Sequence, residues 1–389
     1  MTAMTPCGPT EDAVVDDRPG RDTWETALWQ AGGDLLQSWD WGEFKGRHGW
    51  RVGRVVVRQG DAVALAQVLF RTVGPFTLAY LPRGPVVTPG SSSHTSQQWG
   101  GGDLLAERLL VAVDRICRRH RAISLVMEPT GPLPGAWSGS AFVPGPGAFQ
   151  PARTVVVPLE PDEVLLAQMR RDTRQNIAHA RRRGVTVSRH VGPVGPETMA
   201  TFYALLRETA CRGNFGIHSQ GYYEDMLRVF RDRAVLLLCY DGGTVTGGLI
   251  AARSGDSARS MYGGSTGNRG RGDAALLRFT AMSWAREAGC RRYDLGGIAP
   301  VAPLRSRDGV TAAPAGGMDG VDQFKAGFGG TVAAFPAPVE RRYRPVLVWC
   351  ASRVFPRLRP ESGKDQRHFA KPVVTSSLLS TLKAMLGPA

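Results

Sequence analysis

Residues 234–266 read "AVLLLCYDGGTVTGGLIAARSGDSARSMYGGST". An apolar run ends at Tyr240-Asp241 and breaks at Gly242-Gly243. A second run through Leu249–Ala252 breaks near Asp256, and a third leads to Tyr262. This predicts three strands joined by two tight turns, because glycine supplies the positive φ that short hairpins need. "DAALLRFTAMSWAREAGC" (273–290) then reads as a helix and "RRYDLGGI" (291–298) as a strand. The same plan occurs earlier in the chain. "RVGRVVVRQGDAVALAQVLFRTV" (51–73) is two strands around a Gln-Gly-Asp turn, and "FTLAYLPRGPVV" (76–87) is a strand stopped by Pro82 and Pro85. "DLLAERLLVAVDRICRRHRA" (103–122) places Leu105, Leu109, Ala112, Val113 and Ile116 on one helical face, and "ISLVMEP" (123–129) is a strand.

Each half therefore runs helices, an antiparallel strand series, a helix and a strand. That order predicts an α+β fold with mixed, largely antiparallel sheets in two similar tandem domains, without a residue-level repeat. Residues 1–22, acidic and rich in Pro and Gly, read as a disordered leader. Residues 23–151 form the first domain and 152–337 the second, and 361–389 are a tail containing the amphipathic "SSLLSTLKAML". "RPVLVWCASRVF" (344–355) reads as a helix.

Hydrophobic residues at 42% and charged residues at 21% suit a chain with a sizeable core. Lys and Arg number 48 against 34 Asp and Glu, a net charge of +14. Such a field attracts polyanions, although a genome that favours Arg codons produces the same excess. Clustering discriminates better. "MRRDTRQNIAHARRRGV" (169–185) crowds six arginines on one helix, with only Asp172 opposing them. Arg170, Arg174 and Arg181 fall on one side. This is either a solvated basic face or a contact with a phosphate backbone.

No cysteine pair has metal-ligand spacing, and the six thiols read as buried or neutral in a reducing compartment. The N-terminus lacks the basic and apolar segments of a signal peptide, and no apolar stretch approaches the ~20 residues of a membrane span. The expectation is a cytoplasmic protein without a metal site.

No Ser/His/Asp order, zinc spacing or phosphate loop stands out. "WDWGEFK" (39–45) sets Lys45 after three aromatics, either as a surface lysine or as a cation on a rigid edge. "RGRGDA" (269–274) precedes a helix and fits the pyrophosphate loop of CoA-binding GNAT acyltransferases, a short pattern. "VDQFKAGFGG" (321–330) holds Lys325 between Phe324 and Phe328 with glycines after it. It reads as an exposed turn, or as a loop where a ligand approaches the backbone and a cation meets an oxyanion. Ala299–Gly320 before it is a tolerated insertion or a flap.

Seven segments in order carry a resemblance: "LLQSWDWGEFK" (35–45), "YLPRGPVV" (80–87), "TRQNIAHARRRGV" (173–185), "FGIHSQGYYEDM" (215–226), "MYGGST" (261–266), "YDLGGI" (293–298) and "FKAGFGG" (324–330). From about Leu35 to Gly330 the chain resembles the Fem family of aminoacyl-tRNA-dependent, peptidoglycan bridge-forming peptidyltransferases. It resembles the compact type without a coiled-coil arm. The resemblance implies two tandem GNAT-like domains, the first completed by about 338–360. It implies that Lys45 contacts the diphosphate of the cell-wall precursor. His218 stands where the family usually has a second basic contact, an Arg. Tyr222 and Tyr262 line the substrate channel, and Ser260 replaces a further tyrosine. Glu128 matches an acidic residue once proposed as general base, and Phe324 and Lys325 match the pair at the acyl-transfer centre. The basic helix with Arg170, Arg174 and Arg181 would then bind tRNA. The implied partners are aminoacyl-tRNA as co-substrate and UDP-MurNAc-pentapeptide or its lipid-linked form. No other cofactor is implied. The protein would be a monomer, with peripheral association to the inner membrane face left open. A CoA-dependent GNAT N-acyltransferase, the same tRNA-dependent transfer onto a secondary metabolite, and a non-catalytic nucleic-acid binder are the alternative readings.

Overall fold

The computed structural model describes residues 13–88, 100–139, 141–267, 272–298, 304–306, 309–311 and 320–353. The first half contains β1 (Val14–Asp16), α1 (Arg21–Gln30), α2 (Trp39–Arg47), β2 (Arg51–Gln59), β3 (Ala62–Val73), β4 (Phe76–Pro82), β5 (Val86–Val87), α3 (Gly100–Arg119), β6 (Ala122–Glu128) and β7 (Val143–Pro144). The second contains β8 (Arg153–Pro158), α4 (Asp162–Gln168), α5 (Arg171–Arg182), β9 (Thr186–Val191), α6 (Pro196–Gly213), α7 (Gln220–Phe230), β10 (Ala234–Asp241), β11 (Thr244–Ser254), β12 (Ser257–Ser265), α8 (Asp273–Glu287) and β13 (Arg292–Ile298). A short hairpin, β14 (Leu304–Ser306) with β15 (Gly309–Thr311), then α9 (Gly320–Ala326), β16 (Thr331–Ala334), β17 (Val339–Arg342) and α10 (Pro345–Arg353) follow.

Two mixed sheets result, ordered β1-β2-β3-β4-β6-β17-β7, with β5 also on β3, and β16-β8-β13-β12-β11-β10-β9. The predicted doubling is visible in the pairing. In the first sheet β2, β3 and β4 form an antiparallel run, and α3 crosses over to bring β6 parallel to β4. In the second, β10, β11 and β12 repeat the run and α8 brings β13 parallel to β12. The parallel pair needs a crossover, which is why a helix follows each strand series. Beyond it, each sheet continues with an antiparallel strand drawn from elsewhere in the chain: β17 on β6, and β8 on β13. Residues that follow the second sheet thus extend the first.

One feature differs from the sequence reading. Val14–Asp16, assigned above to the leader, pair with β2, and α1 begins at Arg21. Three residues are too short for a periodic signal, and only the open edge of β2 makes them a strand. Of the Ala299–Gly320 insertion only the small hairpin and the first residue of α9 are described. The flap reading, Arg269–Arg271 of "RGRGDA", and the 361–389 tail lie outside the described residues.

The halves share a core. Leu35, Leu36, Trp41, Phe44, Trp50 and Tyr80 from the first pack with Phe202, Tyr222, Tyr223, Leu227 and Phe230 from α6 and α7 of the second. Each such side chain contributes roughly 1.5–3 kcal/mol when fully buried. Separate cores lie under α3 and under α5 and α8. The shared core fixes α2 against α7, and so fixes one wall of the cavity described next.

Candidate active site

A cavity of about 410 Å³ opens between the sheets, lined by Lys45, Tyr80, Arg83, Tyr222, Arg259, Tyr262, Arg278, Asp294 and Lys325 among others. Two buried lysines mark it.

Lys45 sits on α2. Asp34 Oδ1 accepts from the Leu36 N–H at 2.8 Å to cap the 3-10 turn at Leu35–Gln37, and Ser38 Oγ then accepts from the Trp41 N–H at 3.2 Å to start α2. Lys45 is 3% exposed. Its Nζ donates to the Tyr222 hydroxyl at 3.2 Å and lies within 5.2–5.9 Å of the Trp41, Phe44, Trp50 and Tyr222 ring centroids. Burial, helped by the Arg71 charge, lowers its pKa to about 7. Ring faces offset part of the cost of a buried ammonium. Among the described residues it has no carboxylate partner. Tyr222 also accepts from the Tyr262 hydroxyl at 3.4 Å, and burial pushes both phenols up.

Lys325 lies in the last turn of α9, 8% exposed, and its Nζ donates to Gly297 O at 2.6 Å. Burial and then the Arg278 charge lower its pKa to about 8, against the opposing pull of Asp294 and Asp322. The glycines that follow it serve packing. A Cβ on Gly327 would meet Thr173 Oγ1 at 2.3 Å, and one on Gly329, at φ +81°, would meet Gln168 O at 2.4 Å. The loop runs close under α4 and α5, which corrects the reading that these glycines leave room for a ligand.

The remaining sequence candidates stand one layer back. Glu128 is buried and is not among the lining residues. It accepts from the Tyr80 hydroxyl, from Phe149 N at 2.6 Å and from Gln150 N at 3.1 Å. Burial raises its pKa in spite of those donors. Tyr80 is the residue that reaches the cavity from it. His218 stacks flat on Tyr222, with centroids 3.6 Å apart and an interplanar angle of 14°, behind the cavity wall. Phe324 faces Phe328 and carries the Arg278 guanidinium 5.1 Å from its ring centroid. Arg278 lines the cavity, as Lys325 does, and Phe324 is not among the lining residues.

Arg170, Arg171, Arg174, Arg181 and Arg182 are exposed on or beside α5. Arg183 is not part of that face: it pairs with Asp241 and, at 3.3 Å, with Asp273. The Arg170 N–H donates to Gly327 O at 2.9 Å, so the basic face begins at the loop that carries Lys325.

Sequence reasoning misses Tyr80, Arg83, Arg259, Arg278 and Asp294. Tyr80, Arg83 and Asp294 lie inside the quoted "YLPRGPVV" and "YDLGGI", and that is the signal that could have found them. Nothing in the sequence distinguishes Arg259 and Arg278 from the other arginines. Among the described residues there is no His/Cys/Asp/Glu cluster suited to a metal, and no helix is long and apolar enough to cross a membrane.

Comparison with known proteins agrees with this architecture. Residues 167–303 match the acetyltransferase (GNAT) domain family. A lipid II:glycine glycyltransferase from Staphylococcus saprophyticus is 31% identical over 211 residues, 50% of this chain and 47% of that protein. Its counterpart from Staphylococcus aureus is 28% identical over the same length. The match thus spans about half the length of these curated relatives. Among solved structures, FemX superposes with a TM-score of 0.69 at 19% identity, covering 87% of this chain and 99% of that one. A Bacteroides thetaiotaomicron protein of unknown function superposes at 0.52 with 10% identity.

Proposed function

We propose that the chain is a member of the Fem family and that it transfers an amino acid from aminoacyl-tRNA to the stem-peptide amine of a peptidoglycan precursor, building the interpeptide bridge. Glycine is the first choice of amino acid, because two relatives are named as glycyltransferases acting on lipid II. The observation that carries the proposal is the cavity between the sheets, whose lining brings Lys45, Tyr222 and Tyr262 together with Lys325 and Arg278.

The acceptor amine attacks the ester carbonyl, a C–N bond forms, and the C–O bond to the terminal ribose breaks. One amine proton leaves with the ribose oxygen. The ester is already activated, so positioning supplies much of the rate. Lys325 as an ammonium meets the charge that develops on the carbonyl or leaving oxygen. Lys45, a buried cation with no carboxylate partner among the described residues, is suited to the precursor's diphosphate. The exposed face of Arg170, Arg174 and Arg181 starts beside the Lys325 loop, where a tRNA backbone would bring its 3′ end. Glu128 would act on the amine only through Tyr80. The protein would work as a cytoplasmic monomer, in peripheral contact with the membrane when the acceptor is lipid-linked.

The start of α8 weighs against a CoA-dependent reaction. A pyrophosphate at that helix N-terminus would meet the Asp273 carboxylate, which is 2% exposed. Gly272 also packs closely on α5, where a Cβ would lie 2.0 Å from Asn176 O.

The test supplies labelled glycyl-tRNA, a mixed aminoacyl-tRNA pool and acetyl-CoA in parallel, with lipid II and the soluble nucleotide precursor as acceptors. Label should pass from aminoacyl-tRNA to a precursor. Transfer from acetyl-CoA alone would overturn the proposal.

A further inference from the structure

A chain of ionic groups, half-buried at Asp34 and Arg259 and buried at Asp294, runs from the first half of the molecule to Lys325. Asp34, which caps the turn leading into α2, accepts from both terminal nitrogens of Arg259 on β12, at 3.2 and 2.6 Å. Arg259 Nε donates to Asp294 Oδ2 on β13 at 2.8 Å. The other oxygen of Asp294 accepts from the Thr154 hydroxyl and from Gly296 N at 2.8 Å. Gly296 has φ +82°, and the pairing of β13 with β8 slips between Asp294 and Gly297. The strand bulges there, and the next carbonyl, Gly297 O, accepts from Lys325 Nζ.

A bulge leaves part of the ladder unpaired and re-aims the groups beside it. This one is held by a single carboxylate with donors on both oxygens. Two carboxylates and one planar guanidinium make a rigid joint, because the fork fixes the angle as well as the distance. We propose that Asp294 is a positioning residue for Lys325: clamped by Arg259 and Asp34, it sets the bulge whose Gly297 carbonyl holds the lysine at the cavity wall. The same joint ties Lys325 to the turn that starts the Lys45 helix. The charged groups facing Lys325 are Arg278 from α8, Asp294 from β13 and Asp322 from α9, with Arg259 of β12 behind Asp294.

Two variants separate positioning from charge. Asp294→Asn removes a negative charge and Arg259→Gln a positive one, so they should move the Lys325 pKa in opposite directions, down and up. Positioning predicts a common effect on orientation. Competitive acetylation of the full chain with trace acetic anhydride across pH, read at Lys325 by mass spectrometry, reports both the pKa and the limiting reactivity of the free amine. Limiting reactivity should rise several-fold in both variants as the amine leaves Gly297 O. With the two substrates of the proposed reaction, kcat should fall on the order of ten- to a hundredfold in both, with KM nearly constant. Wild-type limiting reactivity in both variants overturns the inference, whatever happens to the melting temperature. So does a kcat that follows only the direction of the pKa. The turnover arm rests on the proposed transfer; the labelling arm does not. An inactive wild type would therefore remove the function and leave the positioning result standing.

Discussion

Lys45 and Lys325 are both buried, both depressed in pKa, and both line one cavity, yet they are held in different ways. Lys45 is enclosed by four aromatic rings and one phenol oxygen, so its ammonium is tolerated more than satisfied. Lys325 has a full carbonyl acceptor and two carboxylates within electrostatic reach. The first arrangement suits the binding of an anion, as the proposed function requires. The second, under the proposed function, would keep a cation in place near a charge that appears only during reaction. The proposed division between a binding lysine and a catalytic one thus rests on their surroundings and not on residue type.

The sharpest way to break this contrast is Lys325→Ala. It should lower kcat roughly a hundredfold or more, about 3–4 kcal/mol, with both substrate KM values near wild type. Lys325→Arg should rescue only in part. The kcat should also fall as pH rises through about 8, where the ammonium is lost. A variant that keeps near-normal turnover at an unchanged melting temperature removes the catalytic half of the comparison.

Lys45→Met should do the opposite, raising the acceptor KM by about 1.5–3 kcal/mol while leaving kcat at saturation. It should also stabilise the free protein. The folded pKa of Lys45, about 7, lies below its ordinary 10.5. Between those values the unfolded chain binds more protons, so wild-type stability rises with pH, at ~1.4 kcal/mol for each pH unit of depression. The gain from Lys45→Met is therefore largest below pH 7 and fades toward 10.5. Thermal melts across that range test it, and a gain independent of pH would mean the amine is not the source.

Replacing Arg170, Arg174 and Arg181 together with Ala should raise the aminoacyl-tRNA KM and flatten its salt dependence, by about 0.7–0.9 in logarithmic slope for each phosphate no longer neutralised. The acceptor KM should hold. An unchanged slope returns the helix to a solvated face. The smallest effect is expected from Tyr222→Phe, which removes the oxygen that accepts from Lys45 and Tyr262. About 0.5–1.5 kcal/mol in acceptor KM, with no change in kcat, is the expected result in steady-state kinetics.

Much of the fold is legible because its signals are local. Gly242-Gly243 and the apolar runs around them define β10 to β12, and the face of α3 follows from a 3.6-residue period. The site is legible at Lys45 and Lys325, where a short motif concentrates unusual residues. It is not legible at Arg259 or Arg278, since one arginine among many carries no local mark. At "FKAGFGG" the glycines stand out in the sequence, but the reason for them does not, because their neighbours, Thr173 and Gln168, lie about 150 residues away along the chain.

By itself the sequence determined the strand and helix series, their doubling, and the basic helix, because backbone propensity and hydrophobic period act within a few residues of one another. Only the tertiary structure decided the rest. It set which strand closes each sheet, and it put Glu128 behind Tyr80 and His218 behind Tyr222. It drew Arg183 away from the basic face, and it joined Asp34, Arg259 and Asp294 across 225 and 35 residues of chain. Burial and pairing are properties of what the folded chain brings alongside a residue, and desolvation turns that neighbourhood into a pKa, a held cation or a wall.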